Sequence, residues 1–500
     1  MKNSVLLLVS VFVIATCGLI YELVAGTLAS YLLGDSITQF STIIGLYLFS
    51  MGIGSYLSKF VTGNLLSKFI QIEFLIGFIG GISSGLLFYL FNYVDSFRVI
   101  LYALVAITGI LVGVEIPLIM RILKDNFKFN DLISNVFTFD YIGALLASLI
   151  FPLILVPYLG LIKTSLLFGI LNVSVGLVLC FNLDKAHIWV NKLKALGIGV
   201  VLFLLMGFAF SDALTQHNEE VFLGEKIILA RSSPYQRVIV TSNKGRFKLY
   251  LNGNLQFSSD DEYRYHEALV HPPFRCNPEI KRVLVLGGGD GMAVRELLKY
   301  KQVNSIQLVD LDPVMLQMFK DNALLAKLNQ QALSDKRLKI YNDDAMKWVS
   351  KCKDSFDLIC VDFPDPGNYA IGKLYTNTFY KSMLPLLKSN GLMVVQSTSP
   401  FFAPKSFWCV DRTIQSVGLN TLPYHIYLPS FGEWGFVMAS KQRMLTRSGR
   451  YADGLKFISD ETFQTATIFP ADMKTDQVEV NRLDNQVLVN YFEDEWGKIQ

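Results

Sequence analysis

The 500-residue chain is long enough for more than one domain, and 52% of its residues are apolar, with a mean hydropathy of +0.38. That excess of apolar residues excludes an ordinary soluble protein of this size. A net charge of +3 without a basic stripe gives no basis for nucleic-acid binding, and we expect no nucleic-acid partner.

Cysteines and histidines form no metal-binding or disulfide pattern. The five histidines do not cluster, and the cysteines lack CxxC or zinc-type spacing. We therefore expect no metal and six buried or free thiols: Cys17, Cys180, Cys276, Cys352, Cys360 and Cys409.

The apolar excess lies before residue 213, in runs long enough to cross a bilayer as helices. The first run is longer than the core of a signal peptide, so we expect it to be retained in the mature chain. The sequence predicts seven spans, at residues 5–33, 40–62, 70–93, 98–120, 136–158, 161–182 and 195–212.

Three carboxylates fall deep inside these runs: Glu22, Glu115 and Asp140. An unpaired charge at mid-helix costs about 2.5 to 3.5 kcal/mol, so each needs a partner. One alternative is pairing with Arg121 or another base at a helix end. The other is an intramembrane site for a cation.

Short β-like runs follow, first as hairpins and then in alternation with helices. KIILARS, RVIVTS and FKLYLNG predict a small antiparallel subdomain. After residue 280, runs such as VLVLGGG, SIQLVDLD and FDLICVD alternate with helical segments. This alternation predicts a doubly wound parallel sheet, a Rossmann-like, methyltransferase-type α/β domain.

The run VLVLGGGDG, residues 283–291, predicts a buried strand, a glycine turn and a helix that begins near Met292. Gly287 and Gly289 allow backbone to approach a ligand, and Asp310 follows at the spacing of a ribose-binding carboxylate. Asp290 within the turn would repel a pyrophosphate and attract a cation. We therefore expect a sulfonium nucleoside of the adenosylmethionine type rather than a dinucleotide.

Acidic residues follow each predicted strand, where ligands of such sheets bind. A rim this acidic is suited to polycationic substrates. The residues are Asp290, Asp310, Asp343, Asp344, Asp362 and Asp365.

The ordered motifs YQRVIV, NGNLQFSSDDEYRYHEALVHPP, GGGDG, VDLD, YNDDA and DFPDP resemble those of spermidine and spermine synthases, the polyamine aminopropyltransferases. The resemblance covers about residues 230–440, and the whole chain resembles the membrane-bound branch of that family. Two departures are Ala345 in place of a common glycine, and GNYAIG where the family has GPA, in the lid over the nucleoside.

The resemblance implies a role for each matching residue. Asp362 is the expected proton acceptor, oriented by Tyr265. The residues expected to bind amine groups are His266, Asp290 and Asp365. Those expected around the nucleoside are Gln236, Gly287, Gly289, Asp310, Asp344 and Ala345.

The implied reaction transfers an aminopropyl group from decarboxylated S-adenosylmethionine, as co-substrate, to a diamine, foremost putrescine. We expect no permanently bound cofactor. We also expect a homodimer that forms through the synthase half. Two alternatives stay open. One is a methyltransferase that uses the same nucleoside site, and the other is a membrane transporter or sensor of polyamines whose synthase-like half binds ligands without catalysing a reaction.

The charges of the loops and the expected chemistry predict opposite sides of the membrane for the second half of the chain. Lysines and arginines flank the even-numbered loops, which with seven spans places the second half outside. Adenosylmethionine-type substrates are cytoplasmic, so we expect a multi-pass protein of the cell membrane with a cytoplasmic catalytic half. The predicted regions are a membrane domain at 1–213, a β-hairpin subdomain at 214–278, the catalytic domain at 279–440 and a C-terminal extension at 441–500.

Overall fold

The chain divides into two compact units, Met1–Ile227 and Ile228–Gln500, and each is considered by itself. The last residue of the predicted segment 161–182 lies outside the described residues. The computed structural model describes residues 2–33, 36–91, 93–94, 96–125, 127–181, 188–443 and 449–498.

The first unit consists of long helices that are apolar around most of their circumference. Large apolar side chains such as Phe49, Leu153 and Leu202 are exposed on them, as expected of surfaces that face lipid. The helices are α1 (Lys2–Leu33), α2 (Ser36–Leu57), α3 (Leu65–Phe91), α4 (Phe97–Leu123), α5 (Phe129–Ile150), α6 (Val156–Phe181) and α7 (Ile188–Leu223).

Six helical stretches in the described residues are long and apolar enough to cross a membrane, where the sequence predicted seven separate spans. The difference arises because α5 and α6 form one stretch of 53 residues, joined by a π-helical turn at Phe151–Leu155. At 1.5 Å per residue it would measure about 80 Å if straight, far more than a bilayer core of about 30 Å. Gly160, with φ 71° and ψ 178°, breaks the helix there.

The last helix continues beyond the predicted apolar span 195–212 and the predicted domain boundary at residue 213. Hydropathy falls after Phe210, but α7 continues to Leu223, because Asn218, Glu219 and Glu220 are compatible with a helix although they are polar. The compact unit ends only at Ile227.

The second unit begins with a small sheet in the order β1-β2-β3-β4. Two-residue turns with positive φ, Lys244-Gly245 and Asn252-Gly253, connect β2 to β3 and β3 to β4. This confirms the expected hairpins and adds a strand that the sequence analysis did not separate. The strands are β1 (Lys226–Ser232), β2 (Arg237–Asn243), β3 (Arg246–Leu251) and β4 (Asn254–Ser258).

Helices α8 (Glu262–Val270) and α9 (Pro272–Cys276) lead into a seven-stranded sheet. Its strands are β5 (Arg282–Gly287), β6 (Ser305–Asp310), β7 (Leu338–Asn342), β8 (Phe356–Asp362), β9 (Leu387–Gln396), β10 (Asn420–Leu428) and β11 (Gly432–Ser440). The helices around and after it are α10 (Met292–Leu298), α11 (Pro313–Asp321), α12 (Ala323–Leu328), α13 (Ala345–Lys351), α14 (Tyr369–Gly372), α15 (Asn377–Met383), α16 (Pro404–Gln415), α17 (Asp460–Ala466) and α18 (Val487–Trp496).

The strand order is β10-β11-β9-β8-β5-β6-β7. Strands β5 to β9, the five on which the prediction of a parallel sheet was based, pair in parallel as predicted. Strands β10 and β11, which the sequence analysis did not include, add an antiparallel edge. Only three residues separate β10 from β11, too few for a parallel crossover. The order in which strands are added to the sheet reverses between β5 and β8, which pair in parallel up to Gly287 and Asp362. In sheets of this kind, such a reversal opens a cleft at the carboxyl ends of the two strands.

Candidate active site at the strand ends

The glycine turn after β5 is shaped by close backbone approach. Gly287, Gly288 and Gly291 have φ of 83°, 69° and 78°. A methyl group on Gly287 would overlap the backbone carbonyl oxygen of Asp362, so only glycine fits beside β8. The turn therefore brings the start of α10 against the end of the neighbouring strand.

Asp310, the last residue of β6, is tied to this turn. Its carboxylate accepts hydrogen bonds from the backbone N–H of Gly289 at 3.0 Å and from that of Asp312 at 2.9 Å. Burial raises the pKa of Asp310 to about 6. The structure thus joins Gly289 and Asp310 as the sequence predicted, at the position where a ribose-binding carboxylate belongs.

Gln236 does not contact Asp310 but Asp312, a residue that the sequence analysis did not include. Its Nε2 donates to Asp312 Oδ2 at 2.8 Å, and the Ser233 hydroxyl donates to the same oxygen at 2.8 Å. Asp312 also caps α11 through the N–H of Val314. An aspartate directly before a proline at a helix start is a capping signal that could have identified it.

Asp344 and Ala345 lie at the end of β7, where α13 begins. Asp344 caps that helix through the N–H groups of Met346 and Lys347, and its Oδ2 lies 2.7 Å from Lys373 Nζ. Burial opposes ionisation of Asp344, but Lys373 and the helix N–H groups outweigh it and lower the pKa. Ala345 is buried in the first turn.

Tyr265 on α8 reaches the end of β8. Its hydroxyl donates to Asp362 Oδ1 at 2.5 Å, which joins the two residues that the sequence assigned to the reacting centre. Burial, aided by the charge of Asp290 and opposed by His266 and the Tyr265 hydrogen bond, raises the pKa of Asp362 to about 6. Burial and the Asp362 charge hold the pKa of Tyr265 well above its usual value, so it stays a phenol.

His266 is bound to a partner that the sequence analysis missed. Its Nδ1 lies 2.9 Å from Glu262 Oε2, and both Oε atoms of Glu262 accept hydrogen bonds from Arg295 at 2.9 Å. Burial disfavours the imidazolium, but Glu262 outweighs it and raises the pKa of His266 to about 9. A positively charged His266 carries only donors, so it cannot accept a hydrogen bond from an ammonium group.

Asp290 lies in the glycine turn within electrostatic reach of His266. Its Oδ1 accepts from the N–H of Met292 at 2.9 Å, and its backbone oxygen accepts from Asn329 at 2.8 Å. Burial raises the pKa of Asp290. His266, Asp290 and Asp362 therefore form one electrostatically coupled group.

Asp365 follows β8 and faces two residues from the end of β9 that the sequence analysis missed. Gln396 Nε2 and the Thr398 hydroxyl each donate to its carboxylate at 3.3 Å. Burial raises the pKa of Asp365 to about 7. Gln396 also donates to the Tyr375 hydroxyl at 2.8 Å, which fixes its amide toward the site.

The segment after Asp365 is held by the C-terminal extension, whose role the sequence left open. The buried Asn481 side chain donates to the Gly372 backbone oxygen at 3.2 Å, and its own backbone oxygen accepts from the N–H of Asn377 at 2.9 Å. Val489 of α18 packs directly against Gly372. The predicted lid is thus a short helical segment whose position is fixed by contacts with Asn481 and Val489 of the C-terminal extension.

The strand ends therefore bring a glycine turn, a buried carboxylate and a phenol together, the arrangement expected of a transferase that uses a nucleoside donor. Comparisons with known proteins specify the class further. A family described as the spermine/spermidine synthase domain matches residues 262–449.

Over 99% of its length, the chain is 48% identical to the polyamine aminopropyltransferase of Leptospira interrogans, of which it covers 99%. It is 50% identical to polyamine aminopropyltransferase 2 of Ralstonia nicotianae, with 99% of both chains covered. The spermidine synthase of Thermotoga maritima is a structural neighbour with 26% identity and a TM-score of 0.45, covering 54% of this chain and 88% of that one. The chain belongs to the polyamine aminopropyltransferase family and is an enzyme of that class.

Proposed function

We propose that the protein transfers the aminopropyl group of decarboxylated S-adenosylmethionine to a diamine, foremost putrescine, and releases methylthioadenosine. The observation that carries this proposal is the Tyr265–Asp362 hydrogen bond beside the glycine turn. A bond forms between the amine nitrogen and the methylene carbon next to sulfur. The carbon–sulfur bond breaks, its electron pair stays on sulfur, and the amine loses a proton.

Asp362 is the base in this proposal. A primary alkylamine is largely protonated at pH 7, so the attacking nitrogen must give up a proton before or during attack. A buried carboxylate with a pKa of about 6 is matched to that step. Tyr265 holds one oxygen of Asp362 and leaves the other for the amine.

Asp365 is the proposed anchor for the far ammonium group of the acceptor amine, and Asp290 is the proposed anchor for a second amine group. Since the sulfonium charge disappears during transfer while the amine gains positive charge, carboxylates near that nitrogen stabilise the transition state. The expected amine contact of His266 is revised: its positive charge, held by Glu262, offsets the mutual repulsion of Asp290 and Asp362. His266 is thus a positioning residue.

The nucleoside is proposed to lie along the ends of β5, β6 and β7. Asp310 binds the ribose hydroxyls, and Gly287 and Gly289 admit the sulfonium side of the nucleoside close to the backbone. Gln236 acts by fixing Asp312, and Asp344 with Ala345 borders the adenine. The Lys373–Asp344 pair closes this end of the site.

The apolar helices support a multi-pass protein of the cell membrane, and the proposed substrates place the catalytic unit in the cytoplasm. We also propose a homodimer through the second unit. Fluorescence of a label on the C-terminus in intact cells and in permeabilised cells, with an impermeant quencher, tests the side of the membrane. Quenching before permeabilisation would contradict a cytoplasmic catalytic unit.

The reaction is tested by mass spectrometry of products from the full chain in detergent. Decarboxylated S-adenosylmethionine and S-adenosylmethionine are each offered with putrescine, cadaverine and spermidine. Aminopropylated product from the decarboxylated donor is expected. Methylated product from S-adenosylmethionine would favour a methyltransferase, and binding of amines without any product would favour a transporter or sensor.

A further inference from the structure

Four helices of the first unit bring buried oxygen-bearing side chains to one place in the bundle. The side chains are Tyr21 on α1, Glu73 on α3, Glu115 on α4 and Asn172 on α6, exposed by 3%, 0%, 3% and 0%. Glu73 was not among the predicted intramembrane acids, because it lies near the start of its apolar run, close to Gln71. This group is called the carboxylate cluster below.

The contacts within the carboxylate cluster leave several acceptors unmatched. Asn172 Nδ2 donates to the Glu73 side chain at 2.8 Å and to its backbone oxygen at 3.0 Å. The carboxyl groups of Glu73 and Glu115 hydrogen-bond to each other, which requires one proton between them. Both lie within electrostatic reach of the Tyr21 hydroxyl. In the described part of the chain, Glu73 Oε1, Glu115 Oε1, Asn172 Oδ1 and Tyr21 OH have no hydrogen-bond partner.

In the residues that the structure describes, no base forms an ion pair with the two carboxyl groups. The alternative of pairing with Arg121 finds no support there, since Nη1 of its guanidinium donates to the Ser58 backbone oxygen at 2.9 Å. Lys163 pairs with Asp212 at 2.6 Å. Among the described residues, neither Glu73 nor Glu115 forms an ion pair with a lysine or arginine.

The two other predicted acids lie around the cluster rather than in it. Glu22 is buried and interacts with Tyr47, whose hydroxyl donates to the Gly18 backbone oxygen at 2.9 Å. Asp140 is partly exposed and within reach of Glu115. The expected site of Glu22, Glu115 and Asp140 therefore keeps only Glu115 at its centre.

We propose that the carboxylate cluster binds the ammonium group of an alkylamine. The cluster is rich in acceptors, since its carboxyl oxygens, Asn172 Oδ1 and the Tyr21 hydroxyl can all accept hydrogen bonds, while an alkylammonium offers three donors and no acceptor. With one proton shared between them, Glu73 and Glu115 still supply one negative charge to balance it. Ca²⁺ takes about six to eight oxygen ligands, and the described residues contain no group of three or more histidine, cysteine, aspartate or glutamate side chains that could hold a metal ion. The choice of a polyamine as ligand rests on the proposed function of the second unit.

Binding of radiolabelled spermidine to the full chain in lipid nanodiscs tests this proposal. All samples carry Asp365→Asn, which removes the ammonium anchor proposed for the second unit. One saturable site is expected to remain. Glu73→Gln and Glu115→Gln should each weaken it about tenfold or more, the order for losing a charge-assisted hydrogen bond.

Two further variants separate binding from folding. Tyr21→Phe removes only a hydroxyl that has no partner among the described residues, so the fold should be kept while affinity falls about threefold. Asp212→Asn is the matched control, because it removes an exposed carboxylate of the same unit that already pairs with Lys163. Its affinity should equal that of the parent.

Three outcomes would overturn the proposal. They are no saturable spermidine binding in the Asp365→Asn background, binding that Glu73→Gln, Glu115→Gln and Tyr21→Phe all leave unchanged, and saturable ²²Na⁺ binding that spermidine does not displace. Transfer activity of Asp212→Asn with Asp365 intact is measured separately and should match the wild type. Absence of activity in the wild type would contradict the proposed reaction and leave the binding result standing.

Discussion

Asp362 holds its carboxylate away from water and beside a phenol, and these contacts act in opposite directions on its pKa. Burial raises the pKa and the Tyr265 hydrogen bond lowers it, with about 6 as the result. At pH 7 most of the group is ionised and able to accept a proton. An ordinary surface aspartate, with a pKa near 4, would be a much weaker base.

Asp362→Asn should lower turnover by about 10² or more, the usual order for losing a positioned general base. The amide can still accept the Tyr265 hydrogen bond, so donor affinity should stay within about twofold. Single-turnover rates and equilibrium binding of methylthioadenosine measure the two effects. Asp354→Asn, which alters a carboxylate at the other end of β8 paired with Arg282, is the control. Wild-type turnover in Asp362→Asn would exclude Asp362 as the base.

Although Asp362→Asn should lower turnover, it should raise the stability of the folded protein at alkaline pH. The folded pKa of about 6 lies above the ordinary aspartate value of 3.8, so the folded protein binds this proton more tightly than the unfolded chain. The resulting stabilisation is full below the unfolded pKa and is lost as pH rises through about 6. The variant should therefore be more stable than wild type at pH 8, by up to about 3 kcal/mol, and not at pH 3.5. Thermal unfolding at both pH values checks this, and equal stability at pH 8 would contradict a desolvated Asp362.

The pH dependence of kcat/KM follows from the same group. Protonation of Asp362 below pH 6 removes the base, so kcat/KM should fall about tenfold per pH unit in that range. The acceptor amine also becomes less reactive as pH falls, so the control is binding of methylthioadenosine, which needs no free base. A kcat/KM that is flat between pH 5 and 7 would contradict the assignment.

The segment from Asp365 to Thr376 is held in position by residues that are far away in the chain. Asn481 and Val489 fix it from the C-terminal extension, and Lys373 at its centre pairs with Asp344. The extension therefore acts on the nucleoside end of the site without supplying a reacting group. Its effect should appear in donor affinity.

Gly372→Ala tests this brace. The backbone of Gly372 is helical and accepts alanine, but the added methyl meets the Val489 side chain. The KM for the donor should rise about tenfold as the segment shifts, and Val489→Ala in addition should restore most of it. A Gly372→Ala variant with unchanged KM would show that the segment does not contact the donor.

Local patterns predicted features that depend on neighbouring residues and missed pairs of distant residues. The one long-range pair that was expected, Tyr265 with Asp362, came from the family resemblance. The glycine turn, Asp310 and Asp362 follow from a strand and the turn after it, so their positions were predictable. The partners Glu262–Arg295, Asp312–Gln236 and Asp365–Gln396 join elements that are far apart in the chain. The periodicity of a sequence cannot predict such pairs. The role proposed for His266 therefore changed, from an amine contact to a positioning residue, when its contact with Glu262 was found.

In the whole molecule, the two compact units suggest that the catalytic unit folds without the helices. A fragment that begins at Gly224, just after α7, keeps β1 and both hydrophobic cores of the second unit. It should be soluble without detergent, dimeric by analytical ultracentrifugation, and active in aminopropyl transfer. Aggregated or unfolded material would show that the second unit needs the first.

The most direct test of the account follows a labelled aminopropyl group through one reaction of the full chain. Decarboxylated S-adenosylmethionine carrying ¹³C in its three aminopropyl carbons is mixed with unlabelled putrescine, and products are quantified by mass spectrometry. The account predicts spermidine containing all three labelled carbons and unlabelled methylthioadenosine in equal amounts, and neither product above background from Asp362→Asn on the same timescale. Methylthioadenosine without labelled spermidine, or equal product from Asp362→Asn, would contradict it.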